Sequence, residues 1–321
     1  MKFRNRVYGV IGIKGIMSNW NADFSGRPKT TSKNKIFGSD KAFKYPIKYQ
    51  WINEGDKVLY IKSYKEEKDK IQPRTLKERY EYIFNTKLDK KSKPTEVLAN
   101  LFSAIDVMNF GATFAEENKN ISITGAVQIG QGMNIYDDTR VEIQDILSPF
   151  RNPKTKPKSK KDSEDVERSQ TSIGTKIFAD ETHYCYPLVV NPFAYDEYAH
   201  MIQDFEGYSK EAYEKLKDGT LRAATAFATN SKLGCENEYA IFVTLKEESR
   251  IILPNLANFI SFEKSDDKDI LDLGRLSDVL NKKVLEEVKE IEIYINSFNL
   301  QLNNFELEKA KVMNIFTREV I

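Results

Sequence analysis

The sequence predicts an α+β fold: a sheet-forming chain that carries long insertions. Three observations predict it. Residues 7–13 (VYGVIGI) are a β-branched run with two glycines close to the N-terminus, the pattern of a central strand. Residues 239–245 (YAIFVTL) form a second run with a buried look. Between them, segments of alternating and of helical spacing succeed one another, as a sheet with packed helices requires.

The elements follow in order. Residues 18–49 are polar and basic, interrupted by Gly26, Pro28, Gly38 and Pro46, and hold no sustained period, which predicts a long excursion from the core. Residues 51–63 resume a strand pattern around Val58, Tyr60 and Ile61. Residues 75–84 (TLKERYEYIF) have helical spacing, with Thr75 as N-cap and Glu78 three residues on. Residues 95–108 repeat the helical signal through Val97, Leu98, Leu101, Phe102 and Ile105. Residues 121–129 (ISITGAVQI) alternate as a strand that Gly130 and Gly132 break. Residues 151–170 have almost no apolar content and predict a mobile loop. Residues 175–190 read as β, 195–213 as an amphipathic helix, and 276–293 as a helix capped by Ser277. No internal repeat is apparent, and the 321 residues suit one domain with insertions or two domains.

With 40% hydrophobic and 30% charged residues the chain is neither disordered nor a membrane protein by composition. Its formal net charge is only +1, which at face value argues against nucleic acid. By segment the picture changes: residues 1–50 hold eleven Lys or Arg against two acids, a local +9, and the remainder is acidic. Opposite poles suit a protein that binds an anion on one face and stacks head to tail with its own copies. Cys185 and Cys235, with His183 and His200, offer no disulfide framework and no zinc pattern, so a reducing cytoplasm is expected, with no metal and no cofactor. Neither an export signal nor a membrane-spanning run is visible.

Nucleophile, phosphate-loop, metalloprotease and calcium-loop motifs are all missing, and the glycines of residues 9–15 have the wrong spacing for a dinucleotide fingerprint. His183 alternates with apolar neighbours and reads as a strand histidine. The richer signal is the basic excursion. Asn19, Trp20, Asn21, Arg27, Ser39, Lys41, Lys44 and Lys48 mix cations, amides, hydroxyls and aromatics. Nucleic-acid binding needs that mixture: cations neutralise phosphate, amides and hydroxyls bond phosphate or 2′-OH groups, and flat rings stack on bases. A second cluster around residues 106–134 places Gln128 and Gln131 among glycines that permit close backbone approach; its Asp106 reads as a helix-end structural group or as a lone general-base or metal carboxylate. Lys232 lies in a polar, glycine-containing turn, and Lys14 completes the candidate RNA-contacting set.

Six blocks stand in order: NRVYGVIGIKG; NWNADFSGRP with IFGSDKAFKY; QPRTLKERYEYIF; VLANLFSAIDVMNFGATFA; ISITGAVQIGQGMN; and NSKLGCENEY before a strand. Together they resemble the backbone subunit of CRISPR interference complexes, the Cas-seven family, and most closely its type I-B branch. The resemblance implies a modified RNA-recognition-motif (ferredoxin-like) palm, βαββαβ in outline, with inserted fingers and thumb. Residues 18–50 would supply the basic loop and part of the fingers, and residues 133–171 the thumb. It implies copies stacked along a guide RNA (crRNA), holding its backbone so that the bases pair with target DNA. Further implied partners are the other Cascade subunits, of the Cas-five, Cas-six and large-subunit families, and a recruited helicase-nuclease. Type III relatives cut RNA with a loop aspartate, so a metal-dependent ribonuclease using Asp106 is the alternative to a non-enzymatic scaffold.

Overall fold

The structure is a computed structural model, and it describes residues 1–151, 171–305, 307 and 309–321. Apart from Arg151, the loop expected to be mobile at residues 151–170 lies outside the described residues. The α+β expectation holds, and the described residues build one large sheet and three small ones.

The large sheet has nine strands: β1 Val7–Ser18, β2 Phe37–Gly38, β3 Val127–Ile129, β4 Gly132–Asn134, β5 Val141–Arg151, β6 Thr171–Val190, β7 Cys235–Leu245, β8 Val288–Ile295 and β9 Ala310–Asn314. Their order is β9-β8-β7-β1-β6-β4-β2, with β3 and β5 also paired to the long β6. As the sequence indicates, β1 is central. It runs antiparallel to β6, from Val7↔Val190 to Ser18↔Ala179, and antiparallel to β7, with a bulge between Gly12 and Ile13. β7 and β8 are antiparallel, β8 and β9 parallel. Val7, Val10, Ile11 and Ile13 are each 0% exposed, which requires cover on both faces of the strand.

Among the described residues seven α-helices form: α1 Asp40–Asn53, α2 Leu76–Phe84, α3 Pro94–Ser103, α4 Ile105–Phe110, α5 Lys210–Ala226, α6 Gly274–Val279 and α7 Lys282–Glu287. The first five cover one face of the sheet. Phe43, Ile47 and Trp51 of α1 and Leu216 and Ala224 of α5 pack with Ile11, Tyr186 and Phe242 of the sheet. The other face is mostly aliphatic: Tyr8, Val10, Ile241 and Val243 meet Leu271, Leu273 and, from α6, Leu276, under the small sheet of strands Ser261–Glu263, Asp269–Asp272 and Leu300–Asn303.

Several expectations need correction. The excursion at 18–49 ends at residue 39, where α1 begins. Ser39 caps it, its hydroxyl accepting from the Ala42 N–H at 3.2 Å, and Phe43, Pro46, Ile47, Gln50 and Trp51 share the buried side. Pro46 hid this helix because an interior proline removes one backbone bond, at about 3 kcal/mol. Three large buried side chains, at ~1.5–3 kcal/mol each, offset it. The strand expected at 51–63 is instead the end of α1 and an irregular stretch, followed by the hairpin Tyr64–Glu67/Lys70–Pro73. Helix 75–84 forms as read, with both halves of the Thr75–Glu78 capping box in place. Helix 95–108 is broken at the extended Ala104 into α3 and α4. The single strand at 121–129 is divided: residues 119–124 pair with Gly111–Glu116, and β3 follows. At 195–213 two 3₁₀ turns replace the helix, which starts only after the Ser209 cap. At 276–293 two short helices precede β8, and Asn281 rather than Ser277 caps the second. There the period-2 pattern of Ile291, Ile293 and Ile295, all buried, overrode the helical spacing.

Candidate nucleic-acid interface

The loop after β1 closes onto a turn more than 200 residues away. The Ile16 N–H donates to the Gly234 carbonyl at 2.9 Å and the Asn19 N–H to that of Ser231 at 2.8 Å, while Lys232 Nζ donates to the Trp20 carbonyl. Gly234 fits because its φ is +103° and an added Cβ would strike the Ile16 carbonyl. Asn19 Nδ2 donates to the Gly26 carbonyl at 2.9 Å and that of Ile177 at 3.2 Å, tying in the base of the β5–β6 arm. Within the loop, Asp23 Oδ1 accepts from the Ser25 hydroxyl at 2.7 Å and from the Ser25 and Arg27 N–H groups at 2.8 and 3.0 Å; the hydroxyl bond first, then the backbone bonds, lower its pKa. Asn21 Oδ1 accepts from the Ser39 N–H at 2.8 Å and joins the loop to the start of α1. The result is a groove of about 580 Å³ lined by Asn19, Lys176, Phe227, Thr229, Ser231 and Lys232. Thus the basic excursion and the Lys232 turn, far apart in the chain, share one groove.

The candidate residues divide sharply. Arg27, Lys41, Gln128 and Gln131 are exposed; Gln128 Nε2 bonds the Gly125 carbonyl at 2.9 Å, and Gln131 Nε2 lies 3.5 Å from Asp40. Trp20 does not offer a stacking face as expected. It is 1% exposed, and its Nε1 donates to Tyr186 Oη at 2.6 Å, because a large ring beside a polar anchor fills the core best. Lys14 is also turned inward. It points to the sheet face opposite α1 and α5, where its Nζ lies 3.3 Å from Asp269 and 3.9 Å from Glu181. Lys44 pairs with Asp40 at 3.1 Å. Lys48 reaches the Tyr60 carbonyl at 3.3 Å and Asp106 at 3.6 Å, and burial lowers its pKa although Asp106 opposes the shift. Lys232 sits 4.9 Å over the Trp20 ring, with its pKa also lowered by burial.

Asp106 occupies the first turn of α4 and is 1% exposed. Its two carboxylate oxygens accept from the Leu59 and Tyr60 N–H groups, each at 2.8 Å. The residue therefore pins the chain after α1 onto α4. Burial, with the Asp106 charge second, raises the Tyr60 phenol to about 12.

Two features escaped the sequence reading. One is a charge cluster around a buried histidine: His183 is 1% exposed, with Nδ1 2.9 Å from Glu238 and Nε2 3.1 Å from Glu181. Glu181, His183 and Asp269 present ligand atoms within 4.8 Å of one another, yet Lys264 lies 2.7 Å from Glu181 and Lys14 3.3 Å from Asp269, so ammonium groups supply the positive charge there. His183 as a strand residue was legible; its partners, from four separate segments, were not. The other is a groove of about 610 Å³ between α1 and α2, lined by tyrosines and cations that carry no motif.

Long paired strands, packed helices and a loop-and-turn basic surface define an α+β protein built around a large, mostly antiparallel sheet. The family model for CRISPR-associated protein Cas7 matches residues 5–294, and the chain belongs to that family. Among solved structures, a chain of a "CRISPR RNA-guided surveillance complex, pre-nicking" has the same fold: TM-score 0.54, 15% identity, 96% of each chain covered. No curated protein matches the sequence. Among the described residues no helix is long and apolar enough to cross a membrane.

Proposed function

We propose that this chain is the crRNA-binding backbone subunit of a type I CRISPR interference complex, of the I-B kind, and that it assembles with its own copies along the guide. The observation that carries this reading is the Cas7 family match across residues 5–294. The guide would be held by its backbone, leaving its bases to pair with target DNA. The other subunits and a recruited helicase-nuclease would complete the machine, in the cytoplasm. An RNA-recognition-motif palm is supported by the order β7-β1-β6-β4, with α1 following β1 and α5 preceding β7. In that reading residues 19–38 belong to the fingers and the β5–β6 arm is the base of the thumb.

The sheet face opposite α1 and α5 is covered by the C-terminal small sheet and by α6 and α7, which leaves the loop–turn groove and the cations around it as the RNA surface. Its work is electrostatic and geometric rather than catalytic. What counts against the ribonuclease alternative is that both oxygens of Asp106 already hold backbone N–H groups in a buried setting.

Binding of a labelled guide RNA across a salt series tests the proposal. Affinity should fall steeply with salt, the slope falling by about 0.7 for each phosphate contact removed. Changing Arg27, Lys33 and Lys35 to Ala together should flatten the slope by roughly 2. A chain that fails to bind its guide, or a triple variant with the parental slope, overturns the assignment of this surface. RNA cleavage in Mg²⁺ that disappears in Asp106→Asn would establish the nuclease instead.

A further inference from the structure

The groove between α1 and α2 has no role in guide binding as drawn above. Tyr45 and Tyr49 stand one turn apart on α1, so both rings point to the same side, and each meets the Phe227 ring edge-on at centroid distances of 5.5 and 5.3 Å. Tyr82 of α2 faces them across the groove and is 61% exposed, with the Arg74 guanidinium 4.1 Å above its ring. Lys57 and Lys62 line the same groove and are exposed. Arg79 donates to the Val58 carbonyl at 2.5 Å, while its Nε is buried without a hydrogen-bond partner among the described residues. Asp56 is the carboxylate of the lining, and it is tied to Lys215. Cations and exposed rings therefore outnumber anions along the whole cleft.

This arrangement is a stacking platform beside an electrostatic track, the combination that retains single strands without reading sequence. Phe227 lines the loop–turn groove and packs on Tyr45 and Tyr49 of this one, so a single ring links the two clefts. They differ at the sugar. The first offers Thr229, Asn230 and Ser231, all exposed, as partners for a 2′-OH, whereas the α1–α2 groove contains no Asn, Gln or Thr and the hydroxyl of its one serine, Ser63, is buried.

The geometry points to a second nucleic-acid site here, one that takes single-stranded DNA while the guide RNA occupies the first. The inference rests on the guide-binding reading, and the test separates the two. The full chain is first assembled on guide RNA, and fluorescent oligo-dT is then titrated in. Oligo-dT should bind the assembled complex, about tenfold more weakly in Tyr82→Ala, a loss in the range of one stacked base. In Lys57→Ala/Lys62→Ala the salt slope for oligo-dT should fall by about 1.4, with guide binding unchanged. Both lysines are exposed, so this variant leaves the core intact. A chain that binds no guide removes the underlying reading. A chain that binds guide but no oligo-dT, or that binds oligo-dT equally well in both variants, overturns this site alone. Oligo-U that displaces oligo-dT at tenfold lower concentration overturns the DNA assignment.

Discussion

Lys14, Lys44 and Lys48 each lie within 4.0 Å of a carboxylate and are at most 17% exposed at the side chain, whereas Arg27, Lys33, Lys35 and Lys41 of the same fifty-residue stretch stand in solvent. A count of charges treats the two groups alike, but desolvation separates them. A buried ammonium is tolerated only when a carboxylate and hydrogen bonds compensate its lost hydration. Once compensated, it has little charge left to offer a phosphate. The local +9 thus contains structural pairs, which hold the fold together, and a separate set of exposed cations, which can meet RNA.

Removing a carboxylate from the buried set should have the largest effect. Asp106→Ala leaves the Leu59 and Tyr60 N–H groups unbonded and Lys48 buried without its partner, which should cost about 3–5 kcal/mol in urea unfolding. Asp106→Asn keeps an acceptor and should cost less. A loss below about 1 kcal/mol in the Ala variant would show that Lys48 escapes to solvent, and would move it into the other group.

The charge cluster around Lys14 sharpens the comparison through pH. Burial alone would lower the His183 pKa, but Glu238 by its charge and Glu181 by its hydrogen bond raise the net value above 6.5. Glu181 is lowered to about 2, first by the bond to His183 and then by Lys264 against burial. Glu236, also nearby, is raised by burial. Lys14, Asp269 and Lys264 complete the ring of charges, with Phe262 stacked on the imidazole at 3.8 Å. The raised histidine contributes stability that is full below 6.5 and is lost as pH climbs through its folded value. The lowered Glu181 contributes above 4.5 and is lost on acidification toward 2. Thermal stability should therefore peak between those limits, and His183→Gln should flatten the alkaline decline. A decline of the same steepness in that variant would assign it to other groups.

How much of this was legible depended on whether the signal was local. β1, β7 and the Thr75–Glu78 cap were readable because a β-branched run or a capping box fixes the local conformation. α1 was not, because Pro46 and five lysines and tyrosines masked a buried side that only the sheet reveals. Of the site, residue types were legible and exposure was not. Trp20 and Lys14 have the right chemistry for RNA, but Tyr186 and Asp269, more than 160 residues distant, have claimed them. The pairing of Lys232 with the loop at Trp20 has the same long-range origin.

The smallest effect on stability, and the one that decides the comparison, belongs to the exposed cations. Arg27, Lys33 and Lys35 to Ala should each change unfolding free energy by less than about 0.5 kcal/mol, as surface substitutions away from buried partners do. Lys41→Ala, at the start of α1 but on its open side, should behave likewise. In RNA titrations the order inverts: these four should account for the salt dependence, while Lys14→Met, which fills its site with an apolar chain, should leave the slope untouched. If Lys14→Met instead lowers the slope by about 0.7 in a folded protein, the ammonium exchanges its carboxylates for a phosphate. In that case burial in the free chain would not mark a residue as lost to RNA.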